Sequence, residues 1–349
     1  MTYVRNAWYV AAWSHEISAE RPAGVRILNE PIVIWRSAAG DLTAFEDRCI
    51  HRLAPLSLGR CEGERLRCMY HGLLYDRTGR VVEVPGQDKI PSSLRVRTYS
   101  VMERHSWVWV WMGEMAADEG LIPPVVGMDT DSTDYVFGHG QFDVAAEARL
   151  VTENLLDLSH VSFLHGESVR LGDTLARERP KVTEHERFIR SDRWLRSETW
   201  GGSVQAEDAY VCTECFIPGV IVLTSRIYPV GSADALNGRA PDSSDALASV
   251  VSHAVTPLTD KTARDFYIAA LRRHGDETAA DLTATKKAFA EDKMMIEAQQ
   301  RNLDVSPGWR FTPFAADRGI AVFNRVVEKL VREESASSSL ASPPVSAQQ

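Results

Sequence analysis

Residues 49–73 read CIHRLAPLSLGRCEGERLRCMYHGL, and this stretch decides the architecture of the first part of the chain. Cys49-Ile-His51 and Cys68-Met-Tyr-His71 each bring one thiolate and one imidazole together within four residues. Short β-branched or aromatic runs surround them: Ile32-Val-Ile-Trp35 and Leu42-Thr-Ala-Phe45 upstream, Val81-Val-Glu-Val84 and Trp107-Val-Trp-Val-Trp111 downstream, bounded by Gly, Pro or Asp. Two ligand loops carried between strands predict a small all-β domain over residues 1–115. In the last run Trp107, Trp109 and Trp111 share one face by the two-residue alternation, which reads as aromatic core.

One Cys and one His from each of two loops is the demand of a Rieske [2Fe-2S] cluster. Two thiolates hold one iron and two imidazoles the other, and the imidazoles raise the reduction potential above that of an all-Cys cluster. Tetrahedral zinc is the competing use of two Cys and two His, but its motifs usually place Cys with Cys and His with His. Cys49, His51, Cys68 and His71 are therefore the expected cluster ligands. Gly59, Gly63 and Gly72 suit the tight turns such loops need, and Cys61 between them reads as packing.

A second constellation follows as Asn154-x2-Asp157-x2-His160-x4-His165. Non-haem iron(II) oxygenases hold their metal with two His and one carboxylate on one face. Five residues along an ideal helix separate two side chains by about 140°, so convergence of His160 and His165 requires a bulge or break. Asn154, Asp157 and His160 run down one side of that segment. The carboxylate must come from elsewhere, and residues 290–303 (AEDKMMIEAQQRNL) offer Glu291 and Asp292. Leu282, Phe289, Ile296 and Leu303 recur every seven residues as the buried stripe. Asp292 lies beside that stripe and Glu291 further off it. A charge on a buried face is costly unless paired or metal-bound, which selects Asp292.

Residues 114–124 (EMAADEGLIPP) lose the strand pattern and read as a linker. Beyond it, 116–333 mixes a helix near 147–165, strand-like runs at 211–217 and 220–229 and a long helix near 278–303, the pattern of an α+β domain. Residues 231–249 read as an exposed loop, and 334–349 as a disordered tail too poor in apolar surface to order itself. Cys212-x2-Cys215 on a strand would point its thiols to opposite faces, as packing. The formal charge of −9 disfavours nucleic acid and anionic membrane as partners. The opening MTYVRNAWYVAAWSHEI lacks a cleavage-site pattern, and no apolar run reaches the roughly 20 residues of a membrane span. Five Cys without a pairing framework fit the reducing cytoplasm. No Gly-rich nucleotide fingerprint is present, so a reductase would be a separate polypeptide.

These motifs carry a resemblance. With WYVAAW (8–13), Ala54-Pro-Leu-Ser57, Tyr70-His-Gly-Leu73, Val84-Pro-Gly86 and Glu153-Asn-Leu-Leu-Asp-Leu-Ser-His160, the chain resembles the oxygenase component of Rieske non-haem iron oxygenases. Within them it is most similar to vanillate and dicamba O-demethylase oxygenases. The resemblance implies a helix-grip (START-like) catalytic domain, a mononuclear Fe(II) held by His160, His165 and Asp292, and a head-to-tail homotrimer. In that ring His71 of one copy would meet Asp157 of the next, and Asp157 would pass electrons on to His160, with Asn154 near the iron. It further implies O2 as co-substrate, electrons from NADH through a separate reductase or ferredoxin, and a small aromatic substrate.

The implied reaction is O-demethylation of a methoxylated, vanillate-like aromatic acid to a phenol and formaldehyde. His253 matches a family substrate-contact His, and Arg226, in a strand-like run, is a second candidate for a substrate carboxylate. The chain departs from relatives at Ile50, where many have Pro, and at Leu223-Thr224-Ser225 and Thr283, where dicamba-type relatives carry a polar amide and a Trp. Ring hydroxylation or N-demethylation would use the same metals with another pocket. A Rieske electron carrier would have no need of His160, His165 and Asp292.

Overall fold

The computed structural model describes residues 3–126, 128, 135–169, 173–199, 205–242, 248–272 and 277–341. Eleven strands run from Trp8 to Trp111: β1 (Trp8–Trp13), β2 (Ala23–Ile27), β3 (Glu30–Arg36), β4 (Leu42–Glu46), β5 (Arg60–Glu62), β6 (Arg65–Arg67), β7 (Leu74–Asp76), β8 (Val81–Glu83), β9 (Thr98–Tyr99), β10 (Val101–Arg104) and β11 (Trp107–Trp111). They form three small sheets ordered β1-β11-β10, β2-β3-β4-β9 and β5-β6-β7-β8. The third sheet and its neighbours enclose a core of Trp35, Phe45, Leu66, Tyr75 and both ligand cysteines. Residues 114–124 contain no strand, only a 3-10 turn at Glu119–Leu121.

The rest is built on one antiparallel sheet of seven strands. β12 (Tyr135–Val144), β13 (Lys181–Glu184), β14 (Phe188–Glu198), β15 (Glu207–Phe216), β16 (Val220–Tyr228), β17 (Ser249–Thr259) and β18 (Thr262–Arg272) pair in the order β12-β18-β17-β16-β15-β14-β13. Alternation gives its faces two jobs. Val220, Val222, Val250, Ala254, Phe266, Ile268 and Ala270 pack against Trp8, Trp13, Trp107, Trp109 and Trp111. The tryptophan face is thus core, as its alternation predicts, and the surface it buries is the catalytic sheet. The opposite face meets helices α1 (Ala148–Leu156), α2 (Val161–Leu164), α3 (Thr174–Arg177), the long α5 (Glu277–Asp304) and α6 (Arg318–Ala341), with α4 (Ser232–Ala235) in the loop after β16. No helix among the described residues is long and apolar enough to cross a membrane.

One expectation needs correction and a second needs qualifying, since most described residues of 231–242 are exposed. The tail expected from Glu334 onward is helical through Ala341, and 342–349 lie outside the described residues. Val322, Phe323, Val326 and Leu330 put an apolar stripe of α6 into the core, and the helix continues past its last buried turn. Both carboxylate oxygens of Glu334 accept from backbone N–H groups, of Arg5 and Asn6, at 2.8 Å each. The loop expected to be exposed over 231–249 is in part anchored: Asp208 accepts from the N–H groups of Gly231 (3.0 Å) and Ala233 (2.9 Å), and Ala233 is buried. Residues 243–247 of that loop lie outside the described residues.

Candidate metal centres

The two cysteine loops are closed in the same way. The N–H of Cys49 donates to Ala54 O and that of Leu53 to Cys49 O; the N–H of Cys68 donates to Leu73 O and that of Gly72 to Cys68 O, all at 2.8–3.0 Å. Each loop turns through one residue in the left-handed region, Leu53 (φ +56°) and Gly72 (φ +78°). At Gly72 a side chain would also strike Pro85, whereas Leu53 adopts the strained φ without sequence warning. Cys49 and Cys68 are buried, and His51 and His71 are exposed with ring centroids 4.5 Å apart. Thiols paired inside and imidazoles paired at the surface fit a two-iron cluster with thiolates on the inner iron and imidazoles on the outer. Tyr75 was missed by sequence reasoning: its hydroxyl, fully buried, lies 3.2 Å from Cys49 Sγ and accepts from the N–H of Ile50 at 3.3 Å. A hydroxyl donated to a ligand sulfur raises the cluster's potential.

In the catalytic half the helix breaks at Asp157, ahead of both imidazoles; the bulge or break expected between His160 and His165 is absent, and the two rings converge from either end of the one turn of α2. α1 stops at Leu156, Asp157 turns to an extended conformation (φ −93°, ψ 95°), and a 3-10 turn at Leu158–His160 leads into α2. Asp157 Oδ1 caps that turn, accepting from Ser159 N (2.8 Å) and Ser159 Oγ (2.5 Å). His160 Nε2 and His165 Nε2 then stand 3.2 and 3.1 Å from one carboxylate oxygen, Asp292 Oδ1 of α5. The three ligating atoms lie within 4.8 Å of one another, and this is the group of three among the described residues able to hold an ion.

What surrounds the three fixes their chemistry. His160 Nδ1 donates to the carbonyl of Asp157, and His165 Nδ1 donates to Glu291 Oε2 at 2.8 Å. With a metal at the shared point both rings would carry the proton on Nδ1 and turn the Nε2 lone pair to it; without one, each Nε2 donates to Asp292 Oδ1. Asn154 Nδ2 donates to Asp292 Oδ1 at 3.0 Å. Burial pushes the Asp292 carboxyl up, but hydrogen bonds from His160 and His165 outweigh it and hold it well below the usual carboxylate range. Burial pulls His165 down, yet Asp292 and Glu291 together raise it. Two neutral imidazoles and one carboxylate on one side of a point fit a non-haem Fe(II) with open positions opposite.

The sheet sorts the proposed substrate contacts. Ile221 pairs directly with His253, so odd residues of β16 share the face of His253, and Leu223 and Ser225 are among them. Thr224 and Arg226 fall on the other face, Arg226 opposite Tyr210 and near Cys212. Arg226 as a substrate contact beside His253 is thus corrected: the strand was read rightly, but the phase of its two-residue alternation puts this side chain away from the iron-site helices. Cys212 and Cys215 are free and on opposite faces, as alternation predicts. His253 is buried, bonded through Nδ1 to Asp265 Oδ2 at 2.7 Å and packed edge-to-face on Phe289 of α5.

Comparison with known proteins agrees with both halves. Residues 7–100 match the Rieske [2Fe-2S] domain, and residues 144–333 match the vanillate O-demethylase oxygenase C-terminal domain. The chain is 31% identical over 347 residues to the toluene-4-sulfonate monooxygenase iron-sulfur subunit of Comamonas testosteroni, covering 95% of this chain and 98% of that protein. It is 33% identical over 353 residues to a vanillate O-demethylase oxygenase subunit of a Pseudomonas species, covering 95% and 96%. Its fold superposes on crystalline dicamba monooxygenase bound to 3,6-dichlorosalicylic acid with TM-score 0.84 and 29% identity, over 96% of this chain and all of the other. The N-terminal half carries a Rieske [2Fe-2S] cluster and the C-terminal half a mononuclear iron site. The chain belongs to the Rieske non-haem iron monooxygenases and is an oxygenase component of that family.

Proposed function

We propose that this oxygenase component O-demethylates a methoxylated aromatic acid, with electrons from NADH delivered by a separate reductase or ferredoxin. The balance is one aryl methyl ether, O2, NADH and a proton giving a phenol, formaldehyde, water and NAD+. The observation that carries this reading is a two-imidazole, one-carboxylate site on a C-terminal half matching the vanillate O-demethylase type over residues 144–333. The adjoining sheet face supports it: Leu195, Ala209, Val211 and Leu223 pack with Leu158 and Val161, which flank His160 in sequence, and His253 adds an imidazole to the same face. An apolar wall with a few polar groups suits an aromatic ring held in one orientation.

When bound, the cluster relays single electrons and the mononuclear iron activates O2. The chain's own residues supply the rest. His160, His165 and Asp292 hold the iron, with Asn154 orienting Asp292 and Glu291 orienting His165. Cys49, His51, Cys68 and His71 hold the cluster. Asp157 is assigned the electron path from a neighbouring copy in a head-to-tail homotrimer. Its Oδ1 is fixed by Ser159, while Oδ2 has no partner among the described residues and is available to the partner subunit's His71. Exposed apolar side chains support such an assembly, with Leu53, Leu58, Met69 and Tyr70 around the cluster loops and Phe163, Met294 and Met295 on the iron-site elements.

The test is a single turnover of the pre-reduced protein with O2 and a panel of methoxybenzoates, read by mass spectrometry. Formaldehyde equal to the phenol formed is expected; ring-hydroxylated products without formaldehyde overturn the reading. A second reading, oxygenation of an aromatic sulfonate, has support from the relative named for toluene-4-sulfonate, nearly as similar as the vanillate enzyme. Arenesulfonates therefore belong in the same panel.

A further inference from the structure

We infer that Asp265 is a positioning residue that turns the Nε2 edge of His253 into a hydrogen-bond acceptor, so that the pocket selects an aromatic ring bearing a donor, a hydroxyl or N–H. This rests on the reading above that His253 faces the substrate. Asp265 is 1% and His253 3% exposed, and they meet at 2.7 Å through Oδ2 and Nδ1. A carboxylate only accepts, so the proton of the pair lies on Nδ1 and the lone pair on Nε2. Nε2 has no partner among the described residues. A donor on the substrate is the partner that such an acceptor takes.

Two aromatic rings and the Asp265 bond hold the imidazole in this orientation. Phe289 lies edge-on at 4.9 Å and 76°, and Tyr267 packs at 6.3 Å. Phe289 precedes Asp292 by three residues on α5, so the pair packs on the helix that carries the iron-site carboxylate. A substrate carboxylate at Nε2 would instead place a second anion on the imidazole that Asp265 already holds. Asp265 Oδ1 is itself buried with no hydrogen-bond donor among the described residues, so the added charge would meet one already poorly compensated.

The test is anaerobic equilibrium binding to the iron-loaded holoenzyme, which needs no turnover. The two probes are a methoxybenzoate with a ring hydroxyl beside the methoxy group and its analogue with hydrogen there. The native protein is expected to prefer the hydroxylated probe by about tenfold, the worth of one buried hydrogen bond. Asp265→Asn keeps the shape, but its amide donates to Nδ1 and moves the proton to Nε2, so the preference should vanish. Asp265→Glu should restore part of it, and in a His253→Phe background Asp265→Asn should change nothing further. Iron content and the visible cluster spectrum, unchanged throughout, separate this from misfolding. Equal binding of both probes by the native protein, or a preference that survives Asp265→Asn, overturns the inference. Formaldehyde is assayed separately on the same probes. A donor preference without formaldehyde removes the demethylase reading alone, formaldehyde without the preference removes the dyad alone, and failure of both probes to bind removes both.

Discussion

Replacing Glu291 should weaken iron binding in two graded steps while leaving the cluster untouched. Glu291 Oε2 accepts from His165 Nδ1 at 2.8 Å and from Ser168 Oγ at 2.6 Å, and Lys287 Nζ stands 3.8 Å from its other oxygen. The carboxylate thus fixes the ring's tautomer and makes its Nε2 more basic toward the metal. Loss of such a partner typically costs 10–100-fold in metal affinity, about 1.4–2.8 kcal/mol. Glu291→Gln retains an oxygen that can accept from Nδ1 and loses only the charge, so about tenfold is expected. Glu291→Ala also frees the ring to turn or shift its proton, and about a hundredfold is expected. Competition of the protein with an Fe(II) chelator measures both, with the cluster absorbance as internal control. Asp292→Ala, removing a ligand itself, should leave no tightly held mononuclear iron. Should Glu291→Ala bind Fe(II) within about threefold of the native protein, below the tenfold floor, Glu291 does not support His165.

Four further outcomes follow from the geometry. His160→Ala should lose mononuclear iron with the cluster spectrum intact, whereas Asp157→Asn should keep both metals and nearly abolish turnover; an active Asp157→Asn removes the bridging role. In chelator-treated protein His165 sits above its ordinary 6.5, since Asp292 and Glu291 outweigh the opposing burial. A raised imidazole contributes stability fully present below 6.5 and lost as pH rises through the folded value, so thermal stability should fall over that range. The iron-loaded protein should show the opposite slope, because Fe(II) takes the unprotonated ring, and equal slopes with and without iron would contradict this. Glu334→Gln sets an amide against one of the N–H groups of Arg5 and Asn6, which should cost about 1–3 kcal/mol and lower Tm by a few degrees; an unchanged Tm shows that the contact carries no load.

What the sequence made legible was whatever its ligands encode locally. Each cysteine loop closes within six residues, so Cys49, His51, Cys68 and His71 could be paired by spacing alone. The break expected between His160 and His165 was not legible in its place: the chain leaves the helix at Asp157, ahead of both, and the two imidazoles converge from either end of the single turn of α2. What stayed hidden depends on contacts the chain makes across long separations, or on a phase it does not print. Leu53 takes a positive φ that nothing in its side chain announces. Tyr75 reaches the Cys49 loop from β7, and Glu334 reaches Asn6 across 328 positions. For Arg226 the strand was right, but only the pairing of Ile221 with His253 says which residues face the iron-site helices, and a shift of one residue reverses the answer.

The choice between Glu291 and Asp292 has the most to teach. Neighbouring helix residues point about 100° apart, so treating them as rivals for a single role is natural. The buried stripe through Phe289 and Ile296 does favour Asp292, which is 8% exposed and lies against both imidazoles. Yet an imidazole has two nitrogens on opposite sides of its ring, and His165 lies over the helix so that Nε2 meets Asp292 and Nδ1 meets Glu291. Consecutive carboxylates are what one ring needs to be aimed at a metal from the front and held from behind. The dipeptide therefore supplies a proposed ligand and its support together. The same logic of a held Nδ1 and a free Nε2 recurs at His160 on a backbone carbonyl and at His253 on Asp265, which makes the protein's use of these three rings a matter of what stands behind each one.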